Sequence, residues 1–215
     1  MVRTLAVFVV LALAGGNRAH AGVIFSLGND PQQSGEQNIL FNSDQTGSLV
    51  TGVIGSTNMI VDFSSTSDTL DATASGQAQL AAVDGTVNNV TISLPGGATY
   101  QSLILNPFLG GSVDPGSATV TVTANDGTFT YTYPEGLEKG QNFLTITASN
   151  GERIISTTVQ ASTGFQDLQQ PRIGGATVGT AVPEPASAAL LAGGILALWL
   201  KRARHGACTK SREKG

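Results

Sequence analysis

Threonine alternates strictly with small or apolar residues in the middle of the chain, and this pattern constrains the fold most. Residues Ala118–Ala124 read Ala-Thr-Val-Thr-Val-Thr-Ala, and residues 128–133 read Thr-Phe-Thr-Tyr-Thr-Tyr. Because successive side chains of a strand point to opposite faces of a sheet, a period of two is typical of half-buried strands. The Asn125-Asp126-Gly127 turn between the two segments predicts that they pair as a hairpin.

Turn signals recur along most of the chain at intervals of about 8–12 residues. Asn-Gly and Asp-Gly dipeptides predict two further hairpins, which join residues 142–148 to 153–159 and residues 78–83 to 87–94. Further predicted strands cover residues 22–27, 38–41, 48–54, 59–63, 100–106 and 165–173. No convincing helical period precedes Ala186. We therefore expect an all-β fold, a single antiparallel β-sandwich of the jelly-roll type.

The large apolar side chains of these strands predict the core. Its expected members are Ile39, Phe41, Val53, Ile60, Phe63, Val90, Ile92, Leu103, Leu105, Val120, Val122, Phe143, Ile146, Ile154 and Phe165. Pro171 has no N–H to donate, so we expect it at an edge or a bulge of the last strand. Residues 174–181 are small except for Val178 and predict a flexible linker.

The C-terminal part of the chain has a different character. The extended, exposed motif Val182-Pro183-Glu184-Pro185 precedes an almost entirely apolar run over residues 186–200. Fifteen residues of helix span roughly 22 Å, whereas a hydrocarbon core of about 30 Å requires about 20 residues. The run therefore predicts one short transmembrane helix that anchors weakly.

A basic cluster ends the apolar run. Lys201, Arg202 and Arg204 predict a membrane stop on the cytoplasmic side, and residues 205–215 then form a cytoplasmic tail. This C-terminal segment resembles the PEP-CTERM sorting signal of exopolysaccharide-producing bacteria, because a proline motif, a short apolar span and a basic cluster follow one another in that order. Such a segment is also known as the ice-binding protein C-terminal domain. The resemblance covers residues 182–204.

The resemblance implies a partner and a route. An exosortase-type membrane peptidase would recognise Val182, Pro183, Glu184 and Pro185 and cut near Glu184. The domain would then be released, or attached to the envelope or to extracellular polysaccharide. Until that step the C-terminal helix would hold the chain in the membrane.

The N-terminus predicts a cleavable signal peptide over residues 1–21. Arg3 forms a positive region, residues 5–14 an apolar region, and Ala19 and Ala21 fit the small-x-small rule for signal peptidase. The mature chain is expected to begin at Gly22. The chain is thereby divided into signal peptide 1–21, β-sandwich ectodomain 22–173, linker 174–181, sorting signal 182–204 and tail 205–215.

The segment between the two targeting ends is strongly acidic. Between Gly22 and Val182 thirteen acidic residues face only Lys139, Arg153 and Arg172, which gives a net charge of −10. Such a surface repels nucleic acid and anionic lipid, so no nucleic-acid partner is expected.

Histidine, cysteine and tryptophan are absent from this segment. His20, Trp199, His205 and Cys208 all lie outside it. It therefore has no disulfide, no histidine or cysteine ligand for a metal, and no histidine-based nucleophile system. We expect no cofactor and no enzyme activity, and we assign no catalytic, cofactor-binding or metal-binding residue.

Four alternatives rest on particular residues. Threonines 119, 121, 123, 128, 130 and 132 form hydroxyl ladders like those of ice-binding surfaces, or simply suit the solvent face of strands. Only two adjacent strands show that pattern.

Turn carboxylates Asp84, Asp114 and Asp126 are oxygen ligands for calcium, although no calcium-loop motif is present. An unidentified pair of acids can hydrolyse glycosides, and tyrosines 100, 131 and 133 either stack on sugars or pack.

The sequence therefore predicts an exported, exosortase-sorted protein of the cell surface or extracellular matrix. Its expected role is structural or adhesive, in a biofilm or with exopolysaccharide as partner. The alternative is a carbohydrate- or calcium-binding β-sandwich module. Further alternatives are a carboxylate-based glycosidase and an ice-binding protein.

Overall fold

A computed structural model of the chain describes residues 22–29, 35–74, 78–111 and 116–178, and every helix or strand assigned there is a β-strand. The predicted all-β class is confirmed. The strands are β1 (Gly22–Leu27), β2 (Gln37–Leu40), β3 (Gln45–Gly47), β4 (Leu49–Ile54), β5 (Ile60–Ser64), β6 (Leu70–Thr73), β7 (Gln79–Ala82), β8 (Val87–Ser93), β9 (Ser102–Leu105), β10 (Pro107–Phe108), β11 (Ala118–Ala124), β12 (Gly127–Thr132), β13 (Leu144–Ser149), β14 (Ile154–Phe165), β15 (Asp167–Gln169) and β16 (Arg172–Gly174).

The described strands form two antiparallel sheets. Eleven strands follow the order β1-β13-β9-β16-β2-β4-β5-β8-β14-β11-β12, and five follow the order β10-β15-β7-β6-β3. The end strands of the larger sheet, β1 and β12, meet where the rings of Phe25 and Tyr131 stack with centroids 5.5 Å apart. The larger sheet therefore bends back on itself.

One of the three predicted hairpins is present. Strands β11 and β12 pair in continuous register from Thr119 opposite Thr132 to Ala124 opposite Gly127. The hairpin predicted at residues 84–85 is wrong, because β7 pairs with β6 and β15 while β8 pairs with β5 and β14. The turn itself forms, but the two strands that it joins belong to different sheets.

The hairpin predicted at residues 150–151 is also wrong. Asn150 and Gly151 adopt the positive φ angles of a tight turn, 55° and 86°. The segment Tyr100–Gln101 then separates the strands: Tyr100 pairs with Ile154, and the amide of Ala148 donates to the carbonyl of Gln101 at 2.8 Å. A local turn reverses the chain without deciding which strand becomes the neighbour.

The predicted core is largely confirmed. Twelve of its fifteen members are buried, namely Ile39, Phe41, Phe63, Val90, Ile92, Leu103, Leu105, Val120, Val122, Ile146, Ile154 and Phe165. The placement of Ile60 in the core was wrong, because its side chain is 49% exposed. Val61 and Phe63 point inward in β5, so the period of two directs Ile60 outward, opposite half-buried Val53. Phe143 is likewise only half-buried.

The predicted last strand is split into pieces. Phe165 ends β14, β15 belongs to the five-stranded sheet, and β16 belongs to the eleven-stranded sheet. Pro171 lies between β15 and β16, where its missing N–H interrupts no ladder and its carbonyl accepts from Ile39 at 3.1 Å. The chain changes sheets at this proline.

The predicted linker starts too early. Gly174 belongs to β16, and Thr177 exchanges two backbone hydrogen bonds with Thr99, at 3.1 and 2.8 Å. The ordered body therefore extends at least to Thr177. Residues 179–181 lie outside the described ranges.

The predicted targeting residues also lie outside the described ranges. They are Ala19 and Ala21 of the signal cleavage site, Val182, Pro183, Glu184 and Pro185 of the sorting motif, and Lys201, Arg202 and Arg204 of the membrane stop. The predicted span at 186–200 is outside as well. No helix long and apolar enough to traverse a bilayer occurs among the described residues.

Candidate functional site

The loop that joins β12 to β13 forms one wall of a cleft. It comprises the eleven residues 133–143. Its first turn begins at Tyr133, and the amide of Gly136 donates to the Tyr133 carbonyl at 3.1 Å. Pro134 occupies the second turn position, where its fixed φ fits. The loop therefore leaves the strand in a defined direction.

Gly136 is required at the end of this turn. Its φ is +78°, a conformation that residues with a side chain rarely adopt, and a Cβ there would lie 2.6 Å from the carbonyl oxygen of Gly116. The next amide, that of Leu137, donates to the same carbonyl at 3.0 Å. Leu137 is buried, so the middle of the loop is anchored in the core.

Asn142 fixes the second half of the loop from inside. Its Oδ1 accepts from the amide of Glu138 at 2.8 Å, and its Nδ2 donates to the carbonyls of Glu138 at 2.8 Å and Pro107 at 3.0 Å. Its own amide donates to Oδ1 of Asn106 at 2.7 Å. Because Asn142 is buried, these bonds are shielded from water and hold the loop in one conformation.

Tyr133 closes the inner side of the cleft. Its hydroxyl donates to the carbonyl of Asn142 at 3.0 Å, and its ring meets that of Tyr131 edge to face, with centroids 5.4 Å apart. Burial raises the pKa of the Tyr133 phenol above its ordinary value, and the neighbouring Tyr131 raises it further. Tyr133 is therefore a neutral, structural part of the wall.

The cleft between this loop and the end of β1 has a volume of about 410 Å³. Leu27 and Gly28 form the opposite side, and the loop contributes residues 133–136, 138 and 141–143. Glu135, Glu138 and Gln141 are exposed, and Phe143 is half-buried.

These groups have a defined chemical capacity. Two carboxylates accept hydrogen bonds, an amide donates and accepts, and an aromatic ring offers an apolar face. A ligand that combines hydrogen-bonding groups with an apolar face would complement this lining. Polar groups that converge on an apolar pocket are typical of small-ligand sites.

The three tyrosines considered for sugar stacking do not share a surface. Tyr100 is fully buried, and its hydroxyl lies 2.8 Å from Oγ1 of Thr157. Tyr133 is buried, and half-buried Tyr131 stacks on Phe25. Only Tyr133 lines the cleft. Packing explains all three.

The calcium candidates are not brought together. Oδ1 of Asp84 accepts from the amide of Thr86 at 3.1 Å, as in an ordinary turn. Asp126 lies in the separate turn between β11 and β12, where its amide donates to Glu152 at 3.0 Å. Asp114 is outside the described ranges. Across the described part of the chain, no three histidine, cysteine, aspartate or glutamate side chains form a group suited to a metal ion.

Polar side chains continue the threonine face of the hairpin onto two further strands, β14 and β8. Three ranks of outward-facing side chains cross β12, β11, β14 and β8 in register, namely Thr128, Thr123, Ser156 and Ser93; Thr130, Thr121, Thr158 and Thr91; and Thr132, Thr119, Gln160 and Asn89. Only the two strands of the predicted hairpin carry threonine in all three ranks, because β14 and β8 contribute one threonine each. Thr91 and Thr158 are joined at 2.8 Å. Strands β8 and β14 are remote in sequence from the threonine hairpin, so its sequence alone did not reveal them.

Sequence reasoning missed the cleft itself. Glu135 and Glu138 were counted only as charge, and Phe143 was assigned to the core. The available signal was a turn motif, Pro134-Glu135-Gly136, within an eleven-residue connection. The median connection in compact domains is about 4–6 residues, so this connection is long.

Comparison with known proteins identifies no relative: no protein-family model, no curated protein and no solved structure matches the chain.

Proposed function

We propose that the chain is an exported protein of the cell surface or extracellular matrix, sorted by an exosortase-type peptidase, and that its acidic all-β body adheres to polysaccharide. One observation carries the adhesive role. Glu135, Glu138, Gln141 and Phe143 line one cleft on a loop that Asn142 holds rigid. A preformed site loses little conformational entropy on binding.

The positions of the strands support the proposed processing. Cleavage after Ala21 leaves β1 complete, because β1 begins at Gly22. Cleavage near Glu184 leaves β16 and the Thr177 bridge intact. Within this proposal the body is a jelly-roll-like sandwich closed by the Phe25–Tyr131 contact, and residues 186–200 form the short membrane helix.

Mass spectrometry of the surface or secreted protein tests the export route. We expect an N-terminus at Gly22 and a C-terminus near Glu184. A variant with Pro183 and Pro185 changed to alanine should keep its C-terminal segment and stay in the membrane fraction. Recovery of the unprocessed chain from the cytosol would refute the route.

Affinity electrophoresis of the purified full chain in polysaccharide gels tests the adhesive role. Gln141→Ala and Phe143→Ala should each weaken retardation, with a melting temperature measured in parallel for the partly buried Phe143. Gln160→Ala is the matched control, because Gln160 is exposed on the outer face of β14. Normal migration of the wild-type chain in every gel would refute adhesion. Release of reducing ends that Glu135→Gln abolishes would instead identify a glycosidase.

Ice binding is a second candidate, because two ranks of hydroxyl side chains cross four strands, while the third rank ends in Gln160 and Asn89. The twist of neighbouring strands curves such a face, which opposes contact with a flat crystal. Measurement of thermal hysteresis decides between the two. If ice binding operates, Thr130→Lys removes the hysteresis and Thr46→Lys, in β3, does not. A wild-type chain without hysteresis excludes it.

A further inference from the structure

The charge of the cleft restricts which glycans it accepts. Glu135 and Glu138 are the only charged residues among the described residues that line it. The adjacent cation, Lys139, is not part of the lining and directs its Nζ to the carbonyl of Gly111, at 3.5 Å. No described cation is therefore placed to neutralise the two carboxylates within the cleft.

The other two cations of the exported segment are also engaged or remote. The Arg153 guanidinium donates to Thr99 and to Thr177, at 3.1 and 2.8 Å. Arg172 lies in β16 and does not line the cleft. With a net charge of −10 between Gly22 and Val182, the field at the cleft is negative. Uronate or sulfated glycans are repelled, and cationic groups are attracted.

The remaining lining suits a cationic sugar as well. The half-buried ring of Phe143 presents an apolar surface beside the carboxylates. Aromatic faces attract ammonium groups as well as sugar C–H faces. The exposed amide of Gln141 both donates to and accepts from hydroxyl groups.

Resting on the proposed adhesive function, we propose that the cleft selects amino-sugar polysaccharides with free, positively charged amino groups, such as polymers of glucosamine. Glu135 and Glu138 accept the ammonium hydrogens, Phe143 packs against the sugar ring, and Gln141 binds its hydroxyls.

The binding affinities of the purified full chain for three sets of oligosaccharides of equal length, measured by titration, test this selection. The sets are glucosamine, N-acetylglucosamine and uronate oligomers. We expect the glucosamine set to bind about tenfold tighter than the acetylated set, the uronate set not to bind, and added salt to reduce the preference. Glu135→Gln and Glu138→Gln should each weaken glucosamine binding about threefold, and together about tenfold if their effects add.

Asp126→Asn is the matched control. It removes one negative charge beyond the opposite end of β12, a strand of 6 residues that spans about 20 Å at about 3.4 Å per residue. We expect its affinity to equal that of the wild type. An equal loss in Asp126→Asn would reduce the effect to unspecific attraction between a polycation and an acidic protein, and the proposal would fail.

Other results separate the two proposals. Equal affinity for free and acetylated amino sugars, or unchanged binding by the double glutamine variant, refutes charge selection and leaves adhesion standing. Absence of binding to all three sets, together with unretarded migration in every polysaccharide gel, refutes the adhesive function itself.

Discussion

The ring of Phe25 stacks on the ring of Tyr131, with centroids 5.5 Å apart and ring planes inclined by 21°. The two residues belong to β1 and β12, the end strands of the eleven-stranded sheet. Tyr131 in turn meets Tyr133 edge to face, and Tyr133 lines the cleft. This aromatic row therefore connects the closure of the sheet to the wall of the candidate site.

Phe25→Ala should lower the free energy of unfolding by about 2 kcal/mol, because it removes a half-buried ring and its stacking contact with Tyr131. Urea denaturation of Phe25→Ala, Tyr131→Ala and the double variant measures the coupling, which we expect at about 1 kcal/mol. Ile24→Ala is the control in the same strand, since Ile24 is 54% exposed, and it should change stability by less than about 0.5 kcal/mol. If the free-energy changes of the two single variants add exactly in the double variant, the stacking contact contributes nothing to stability and the prediction is wrong.

Sequence patterns predicted the strands better than their partners. The alternation at Ala118–Ala124 predicts the strand, the side chains that face the core and the hairpin partner, because the strand pairs with the segment that directly follows its turn. At Asn150 the turn forms with its expected positive φ, but Tyr100 and Gln101, about fifty positions earlier in the sequence, insert between the flanking strands. Burial of distant apolar faces decides the neighbours, and a single sequence does not encode that choice locally.

The candidate site was less predictable than the fold. Its loop depends on Asn142, whose bonds reach Asn106 and Pro107 across more than thirty residues. Its cleft also requires the end of β1 near Leu27. None of these residues belongs to a reactive type or a known spacing, so composition alone did not distinguish them from ordinary loop and strand residues.

Asp68 is a buried carboxylate between the two sheets. Its Oδ2 accepts from the hydroxyls of Ser65 and Ser67 at 3.0 and 2.8 Å, and from the amides of Asn88 and Asn89 at 3.0 and 3.1 Å. Burial by itself raises the pKa of Asp68, but the hydrogen bonds from Asn88, Asn89, Ser67 and Ser65 lower it, and the net shift is downward. The ionised form therefore ties the loop before β6 to β8.

Asp68 should make the fold sensitive to acid. Because its pKa is lower in the folded chain, its contribution is complete above the unfolded value of about 3.9 and is lost as pH falls below that value through the folded pKa. Asp68→Asn should cost about 2 kcal/mol at neutral pH, since an amide cannot accept all these donors, and should flatten the acid dependence. Thermal unfolding measured between about pH 2 and about pH 7 covers the range in which the contribution of Asp68 is lost, and it therefore measures both effects. A wild-type profile for Asp68→Asn would contradict the account.

Tyr100 and Tyr133 should make the fold sensitive to alkali. Burial raises the pKa of both phenols, against a smaller lowering by the Thr157 hydrogen bond at Tyr100. Their contribution is therefore complete below the unfolded pKa of about 10 and falls as pH rises, by about 1.4 kcal/mol per pH unit for each tyrosine. Urea midpoints between about pH 9 and 12 should drop accordingly, with the phenolate absorbance of Tyr100 and Tyr133 appearing only on unfolding. Tyr133→Phe should remove the share of the slope that Tyr133 contributes, about 1.4 kcal/mol per pH unit. Ionisation of both phenols in the folded chain would refute this assignment.

Arg153 should hold the segment around Thr177, the last part of the chain that the structure describes, against the rest of the fold. Its guanidinium donates to Oγ1 and the carbonyl of Thr99 at 3.1 and 3.0 Å, to the carbonyl of Gly175, and to Oγ1 of Thr177 at 2.8 Å. A lysine keeps the charge but cannot make this fork of bonds. Arg153→Lys should therefore cost about 1 kcal/mol globally and raise amide exchange at Thr177 by about tenfold.

Hydrogen–deuterium exchange of the segment around Thr177 measures the Arg153 effect, with Arg172→Lys as the control at the other arginine of the described residues. If the chain is tethered through its C-terminus, pulling force enters the body at this segment. Exchange at Thr177 that is equally fast in the wild type and in Arg153→Lys would show that the backbone bonds to Thr99 alone hold this segment. Faster exchange confined to Arg153→Lys would show that the side-chain fork, rather than the two backbone bonds, resists opening.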